Sequence, residues 1–370
     1  MRVTRLMIGM AVALAAQAGW ADGAREWREK MRPILPQTYL CRRASGAIVI
    51  DGKLDEAAWA AAPWTRNFVD IQGEGMPRPR FRTRAKLLWD DRYLYIAAEL
   101  EEPHVWATIR EHDAVIFQDP DFEVFISPTG GTQPYYEYEM NALNTSWDLL
   151  LDKPYMDEGK PHNEWDIPGM KTAVFVRGTI NQPSDTDAGW TVEIAFPWNI
   201  LSRHALHPGP PRDGEQWRID FSRVEWQITT NGGAYQKVPH QPEDNWVWSP
   251  TGVIDMHRPE MWGQLQFAAD PVATNGVRPI PGKAARDVAL EVYYAEREYF
   301  KSHQRWAGHL EDLGLQWPGA TAPRLEKTAD GYVCAVEFAD THGRQVWRVW
   351  QDRRLELHDA PTNGAPSLQR

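Results

Sequence analysis

The stretch Phe117-Gln-Asp-Pro-Asp-Phe-Glu-Val-Phe-Ile126 decides how this chain is read. In its second half Asp121, Glu123 and Phe125 fall in one phase, and Phe122, Val124 and Ile126 in the other. A strand repeats its side chains every two residues, so one face can pack a core while the other carries polar groups. Pro120 has no N–H for a ladder, so Gln118 to Pro120 reads as a loop feeding the strand. Carboxylates stand at the junction and Phe117 at the loop tip. Such a junction is either a plain sheet edge or a ligand site.

Outward from this stretch the texture stays β. Thr83–Trp89 and Tyr93–Leu100 flank Asp90-Asp-Arg92 and alternate on both arms, which predicts a hairpin. Further strands are expected at 121–127, 135–143, 145–151, 171–180, 189–196, 216–226, 246–248 and 263–268, separated by turn residues. Ile48-Val-Ile50 ends at the turn pair Asp51-Gly52, and Leu54 to Ala62 reads as a short helix turning Ala58 and Trp59 inward. The fold class is therefore all-β: an antiparallel β-sandwich with a small α+β C-terminal region. Residues 22–44 read as an N-terminal arm, 45–269 as the sandwich, 270–284 as a linker and 285–370 as the α+β region. That last region opens on a helix from Ala284 to Trp306, followed by strand-like runs at 331–338 and 344–350.

At the front, Arg2 and Arg5 precede the apolar run Leu6 to Ala16, too short to span a bilayer, and small residues follow through Ala21. Residues 1–21 thus read as a signal peptide cut after Ala18 or Ala21, which predicts a secreted or periplasmic protein. No later run predicts membrane insertion. The formal charge is −11, or −13 once Arg2 and Arg5 are removed, and no basic stripe offsets it. Nucleic acid is thereby a poor partner. Cys41 and Cys334 are either a disulfide or two buried thiols. Nineteen Trp serve a core or a sugar platform equally well.

Trp217-Arg-Ile-Asp-Phe-Ser-Arg-Val-Glu-Trp226 and Asn245-Trp-Val-Trp-Ser-Pro-Thr-Gly252 resemble a standalone secreted branch of the carbohydrate-binding module family 9-like domains, and five segments in register resemble those domains in general. They are Ile50-Asp-Gly-Lys-Leu-Asp-Glu-Ala-Ala-Trp59, Leu87-Leu-Trp-Asp-Asp-Arg-Tyr-Leu-Tyr-Ile96, Gln118-Asp-Pro-Asp-Phe-Glu-Val-Phe125, Gly189-Trp-Thr-Val-Glu-Ile-Ala-Phe-Pro-Trp198 and Trp262-Gly-Gln-Leu265. The resemblance implies a sandwich that can carry structural calcium and that holds a sugar end between two tryptophans. It places the hydroxyl-reading glutamate at Glu123 and the asparagine at Asn141. Phe117 takes the position of one tryptophan; Met256 or His257 takes that of the other.

Read from the residues, Glu123 and Asn141 lie at the polar phase of their strands, where a carboxylate and an amide suit vicinal diols or else a solvated face. Phe117, Trp147, Trp226 and Trp246 are candidates for stacking on a ring, with Trp147 favoured by its neighbour Asp148. Arg223 lies among apolar neighbours and must be paired, with Glu225, Glu123 or a ligand carboxylate. Asp185-Thr-Asp187 alternates oxygen ligands as calcium loops do, although Asp-Gly clusters more often make turns. Apart from that calcium no cofactor is expected. An oligosaccharide-binding protein is the reading taken. A glycoside hydrolase using carboxylate pairs around Glu123, with Glu137, Glu139, Asp148 or Glu225, is the alternative. A non-catalytic scaffold for a protein partner is the second.

Overall fold

The computed structural model describes residues 22–315, 317, 322–341 and 343–360. The expected signal peptide, residues 1–21, lies outside the described residues. The chain divides into two compact units. Ile34–Arg278 forms one, and the described residues before Ile34 join those from Pro279 onward in the other.

The larger unit holds fifteen strands, numbered along the chain: β1 Thr38–Arg43, β2 Val69–Asp70, β3 Thr83–Trp89, β4 Tyr93–Leu100, β5 Asp121–Ser127, β6 Tyr135–Asn141, β7 Ser146–Leu151, β8 Pro161–His162, β9 Lys171–Arg177, β10 Gly189–Pro197, β11 Gln216–Glu225, β12 Ile228–Asn231, β13 Ala234–Lys237, β14 Asp244–Val247 and β15 Gly263–Ala268. Eleven run in the order β8-β7-β6-β5-β11-β15-β1-β3-β4-β10-β9, with β14 and β2 added beside β11; β12 and β13 form a separate hairpin. The large sheet curls on itself as a sandwich. The inner phase of β5 (Phe122, Val124, Ile126) shares one core with Leu87, Ile96, Val192, Ile194 and Phe196. Pairing is antiparallel except at β1, which runs parallel to both β15 and β3. The strands expected from alternation are present, and the predicted hairpin is β3–β4. Residues 48–50 form no strand; Ile48 and Ile50 instead pack on Trp59, Leu88 and Tyr95.

Most of the tryptophan content is structural. Trp59, Trp190, Trp217 and Trp262 are fully buried, and Trp198, Trp217 and Phe267 meet edge to face. Each buried ring of this size contributes roughly 2–3 kcal/mol of burial free energy. Trp246, a candidate for stacking on a ring, is also buried, against Phe81 and the Arg223 guanidinium.

One brace ties distant motifs together. Glu193 on β10 accepts hydrogen bonds from the Asp51 and Gly52 amides and from Trp59 Nε1, at 2.9, 2.8 and 2.7 Å. Trp59 belongs to helix α1, Ala57–Ala61. Gly52 is irreplaceable in this turn: its φ is +84°, and a Cβ would stand 2.6 Å from the Phe175 nitrogen.

In the smaller unit, residues 22–31 form a short helix that widens in its last turn, and Trp27 stacks on Tyr294 at 5.5 Å. Tyr294 lies on the long helix Lys283–His303. That helix accompanies a four-stranded meander, Arg324–Lys327, Tyr332–Asp340, Gly343–Trp350 and Leu355–Asp359. The residues read as an arm therefore fall in both units, dividing at Ile34. Cys41 and Cys334 are separate buried thiols, one in each unit, so the alternative of a disulfide between them falls.

Candidate ligand site on the outer face of the sheet

The phase that sets Phe122, Val124 and Ile126 into the core sets Asp121, Glu123 and Phe125 on the opposite face. Register extends this face across neighbouring strands. Trp147, Glu139, Glu123, Ser222 and Val247 lie side by side on β7, β6, β5, β11 and β14. The next row is Leu149, Glu137, Phe125 and Asp220.

This face is covered rather than solvated. At one end Met256, Phe125, Tyr135, Leu149 and Trp262 close into a second apolar cluster, with Trp147 packed at its margin. At the other end Asp119 and Asn141 bind the loop that precedes β5. Between them lies a floor of carboxyl groups. Glu123 and Glu137 keep 5% exposure and Glu139 keeps 2%.

Burial pushes Glu123 up to about 7, with the Ser222 hydroxyl opposing the rise. Burial, and then the neighbouring Glu123, raises Glu137, Glu139 and Asp121 well above the usual carboxylate range. Burial therefore favours the neutral form of these carboxyl groups, which can both donate and accept hydrogen bonds. Asp121 Oδ2, Glu137 Oε2 and Trp147 Nε1 are buried without a hydrogen-bond partner. Buried polar atoms of this kind mark positions that water or a polar ligand fills.

Aromatic groups rim the floor. Phe117 donates its backbone N–H to Glu139 Oε2 at 3.0 Å, and its carbonyl accepts from Trp226 Nε1 at 3.0 Å. Lys237 Nζ lies 3.3 Å from the centre of the Trp226 ring, so one face of that ring is taken. His257 meets the Tyr135 hydroxyl at 2.8 Å and stands edge-on to Tyr155 at 4.4 Å. Phe117 thus links Glu139 to Trp226 through its backbone, Trp147 lies beside Glu139, and His257 packs with Tyr135 and Tyr155. Tyr155 carried no signal in the sequence. Glu137 and Glu139 did, since Tyr135-Tyr-Glu-Tyr-Glu-Met-Asn141 puts both on the face of Glu123.

Other expected site residues are corrected by their surroundings. Asn141 is sealed at 0% exposure. Its amide donates to the Ile109 carbonyl and Asp119 Oδ2, and its oxygen accepts from Leu143 and Thr145, so it shapes a turn and has nothing left for a sugar. Met256 packs in the apolar cluster, where its flexible side chain fills space rather than facing a ligand. Arg223 is buried with both Glu225 and Glu102 at 2.6 Å, making an internal ion group that no ligand carboxylate needs to complete. This also occupies Glu225, leaving it unsuited to catalysis. Asp148 lies on the core-facing phase of β7, beside Tyr138 rather than Glu123. Asp187 gives both oxygens to the Val105 and Thr179 amides, and Asp185 accepts from the Thr179 hydroxyl, so these two aspartates close a loop instead of a calcium shell. Among the described residues, the groups with metal-ligand spacing are Asp121 with Glu123 and Glu139, and His112 with Asp148 and Asp166.

A cavity of about 800 Å³ lies elsewhere, lined by residues of the 65–82 segment with Glu101 and Trp248. Three of its arginines are already paired, Arg66 with Glu74, Arg80 with Asp244 and Arg82 with Glu99.

Residues 50–246, more than half of the chain, match the carbohydrate family 9 binding domain-like family, and the chain belongs to it. The exoglucanase XynX of Acetivibrio thermocellus is 24% identical over 157 residues, which cover 42% of this chain and 12% of that protein. The chain therefore spans only a small part of that relative. A family 9 carbohydrate-binding module of Caldicellulosiruptor kristjanssonii, solved with cellotriose, is 16% identical and has a TM-score of 0.41. That match covers 65% of this chain and 99% of the module. The same organism's module solved with glucose gives 16% identity and a TM-score of 0.42, over 65% of this chain and all of that one.

Proposed function

We propose that this protein binds a carbohydrate, and that the sheet face bearing Glu123, Glu137 and Glu139 receives it. Family membership supports the ligand class. The observation that carries the location is the row Trp147–Glu139–Glu123–Ser222, which sets a ring beside carboxyl groups able to donate and accept. Stacking on Trp147 and hydrogen bonds from the carboxyl floor would hold the sugar. Affinity should be modest, because the hydroxyls must first shed water.

The test is calorimetric titration with glucose, cello-oligosaccharides and xylo-oligosaccharides. Trp147→Ala and Glu139→Gln should each weaken binding about tenfold or more, the equivalent of about 1.4 kcal/mol. Unchanged affinity in both variants, or no binding by the intact protein, would sink the assignment.

Glu123, pushed up to about 7 among other buried carboxyl groups, also favours a second reading as a glycoside hydrolase, which needs one acid and one base. Product analysis after long incubation separates the two: cleavage lost in Glu123→Gln supports hydrolysis, and binding without turnover supports the module. We further infer export from the cytoplasm, on the strength of residues 1–21. N-terminal sequencing of exported protein should begin at Gly19 or Asp22.

A further inference from the structure

We propose that His112, Asp148 and Asp166 form a binding site for a divalent transition metal of the zinc class. The site is separate from the carboxyl floor, because Asp148 lies on the other phase of the sheet. His112 is set by its backbone neighbour: Nδ1 donates to the Ser146 carbonyl at 2.8 Å. That bond makes Nδ1 a donor and turns Nε2 toward the acids, where an ion would take the place of its proton, the usual support for a ligating histidine.

Three carboxylate oxygens surround Nε2. Asp166 Oδ1 lies at 3.4 Å, Asp148 Oδ1 at 3.6 Å and Asp113 Oδ1 at 3.4 Å. A good charge-assisted hydrogen bond would close to about 2.8 Å. A tetrahedral centre with ligand bonds of about 2.1 Å instead holds its ligand atoms about 3.4 Å apart. The observed spacing is that of ligands around an ion. The His112, Asp148 and Asp166 atoms also lie within 4.8 Å of one another, and Asp113 stands outside that group.

A second observation singles out Asp148. It is 2% exposed, and its Oδ2 is fixed by the Ile167 N–H at 2.7 Å. Its Oδ1, aimed at the cluster, is buried with no hydrogen-bond partner. A buried carboxylate oxygen held in place and left unsatisfied is costly unless a cation meets it. One nitrogen among oxygens favours zinc, cobalt or nickel over calcium, which prefers six or more oxygen ligands. An ion here would join three segments: the loop before β5, strand β7 and the loop holding Asp166 and Ile167.

The experiment uses the exported protein, prepared without a histidine tag and stripped with chelator. Zn²⁺ is titrated by calorimetry, and Co²⁺ is followed by its visible absorption. One ion per chain and the intense band of tetrahedral Co²⁺ are expected. His112→Ala, on a half-exposed side chain that the fold does not require, should weaken Zn²⁺ binding about 100-fold or more. Asp148→Asn should do the same, and metal-free His112→Ala should melt like metal-free wild type. No saturation by either ion at millimolar concentration overturns the proposal. So does wild-type affinity in His112→Ala, or a site that takes Ca²⁺ as tightly as Zn²⁺ with or without His112.

Discussion

Glu123 sits among the buried carboxyl groups on the outer face of the sheet, and its protonation links the site to stability. Its carboxyl titrates near 7 in the fold, above the ordinary glutamate value. Between those two values the folded state binds more protons than the unfolded state, so stability falls as pH rises through the interval. Glu193 is raised to about 7 by burial and shifts the balance in the same direction. The protein should therefore resist urea better at pH 5 than at pH 7.5. Glu123→Gln, which cannot ionise, should flatten that difference by an amount on the order of 2–3 kcal/mol and gain stability at pH 7.5. Urea midpoints at the two pH values provide the measurement; a Glu123→Gln profile parallel to wild type would contradict it. At the same scale, Asn141 shows how phase alone misleads. It shares the face of Glu123, but it ends its strand, and an asparagine at a turn readily binds the backbone two residues on.

At the scale of elements, the motifs legible in the sequence are largely one structural device. Asp51-Gly52, Trp59 and Glu193 belong to two segments far apart in sequence that meet at a single carboxylate. Glu193→Ala would leave the buried Gly52 amide and Trp59 indole N–H, and the part-buried Asp51 amide, without an acceptor. The expected cost is about 3 kcal/mol, read as a lower urea midpoint with unchanged slope, and Glu193→Gln should cost less. An unaltered midpoint in Glu193→Ala would mean the brace carries no stability. Period-two alternation and turn residues placed β3 to β7, β10 and β11 well, and all of these but β11 pair with the strand next to them in sequence. Strand β1 gave no such signal: Thr38-Tyr-Leu-Cys-Arg-Arg43 has no clean alternation, and its partners come from elsewhere in the chain. The acid cluster was half legible, because phase aligns Glu137 and Glu139 with Glu123 while the covering segments that bury them are set only by tertiary packing.

For the whole molecule, two units with one buried thiol each make a direct check on chain organisation. Burial holds the Cys41 thiol well above its ordinary value, and burial followed by Glu296 raises that of Cys334. A water-soluble thiol reagent should therefore label neither in native protein and both in denaturant, without prior reduction. Labelling of one site at intermediate urea would report that one unit opens before the other. Two oxidised sulfurs in the denatured protein would instead contradict the arrangement.

Strand β1 also bears on how the protein can be made or dissected. Thr38 pairs with Gln264, so a nascent chain cannot complete the sheet until the far partner has left the ribosome. A fragment cut to residues 50–246 would lack both β1 and β15 and leave β3 and β11 with raw, hydrogen-bond-hungry borders. Truncations trimmed to that span should aggregate, and soluble expression should begin only with fragments that start before Thr38 and run past Ala268.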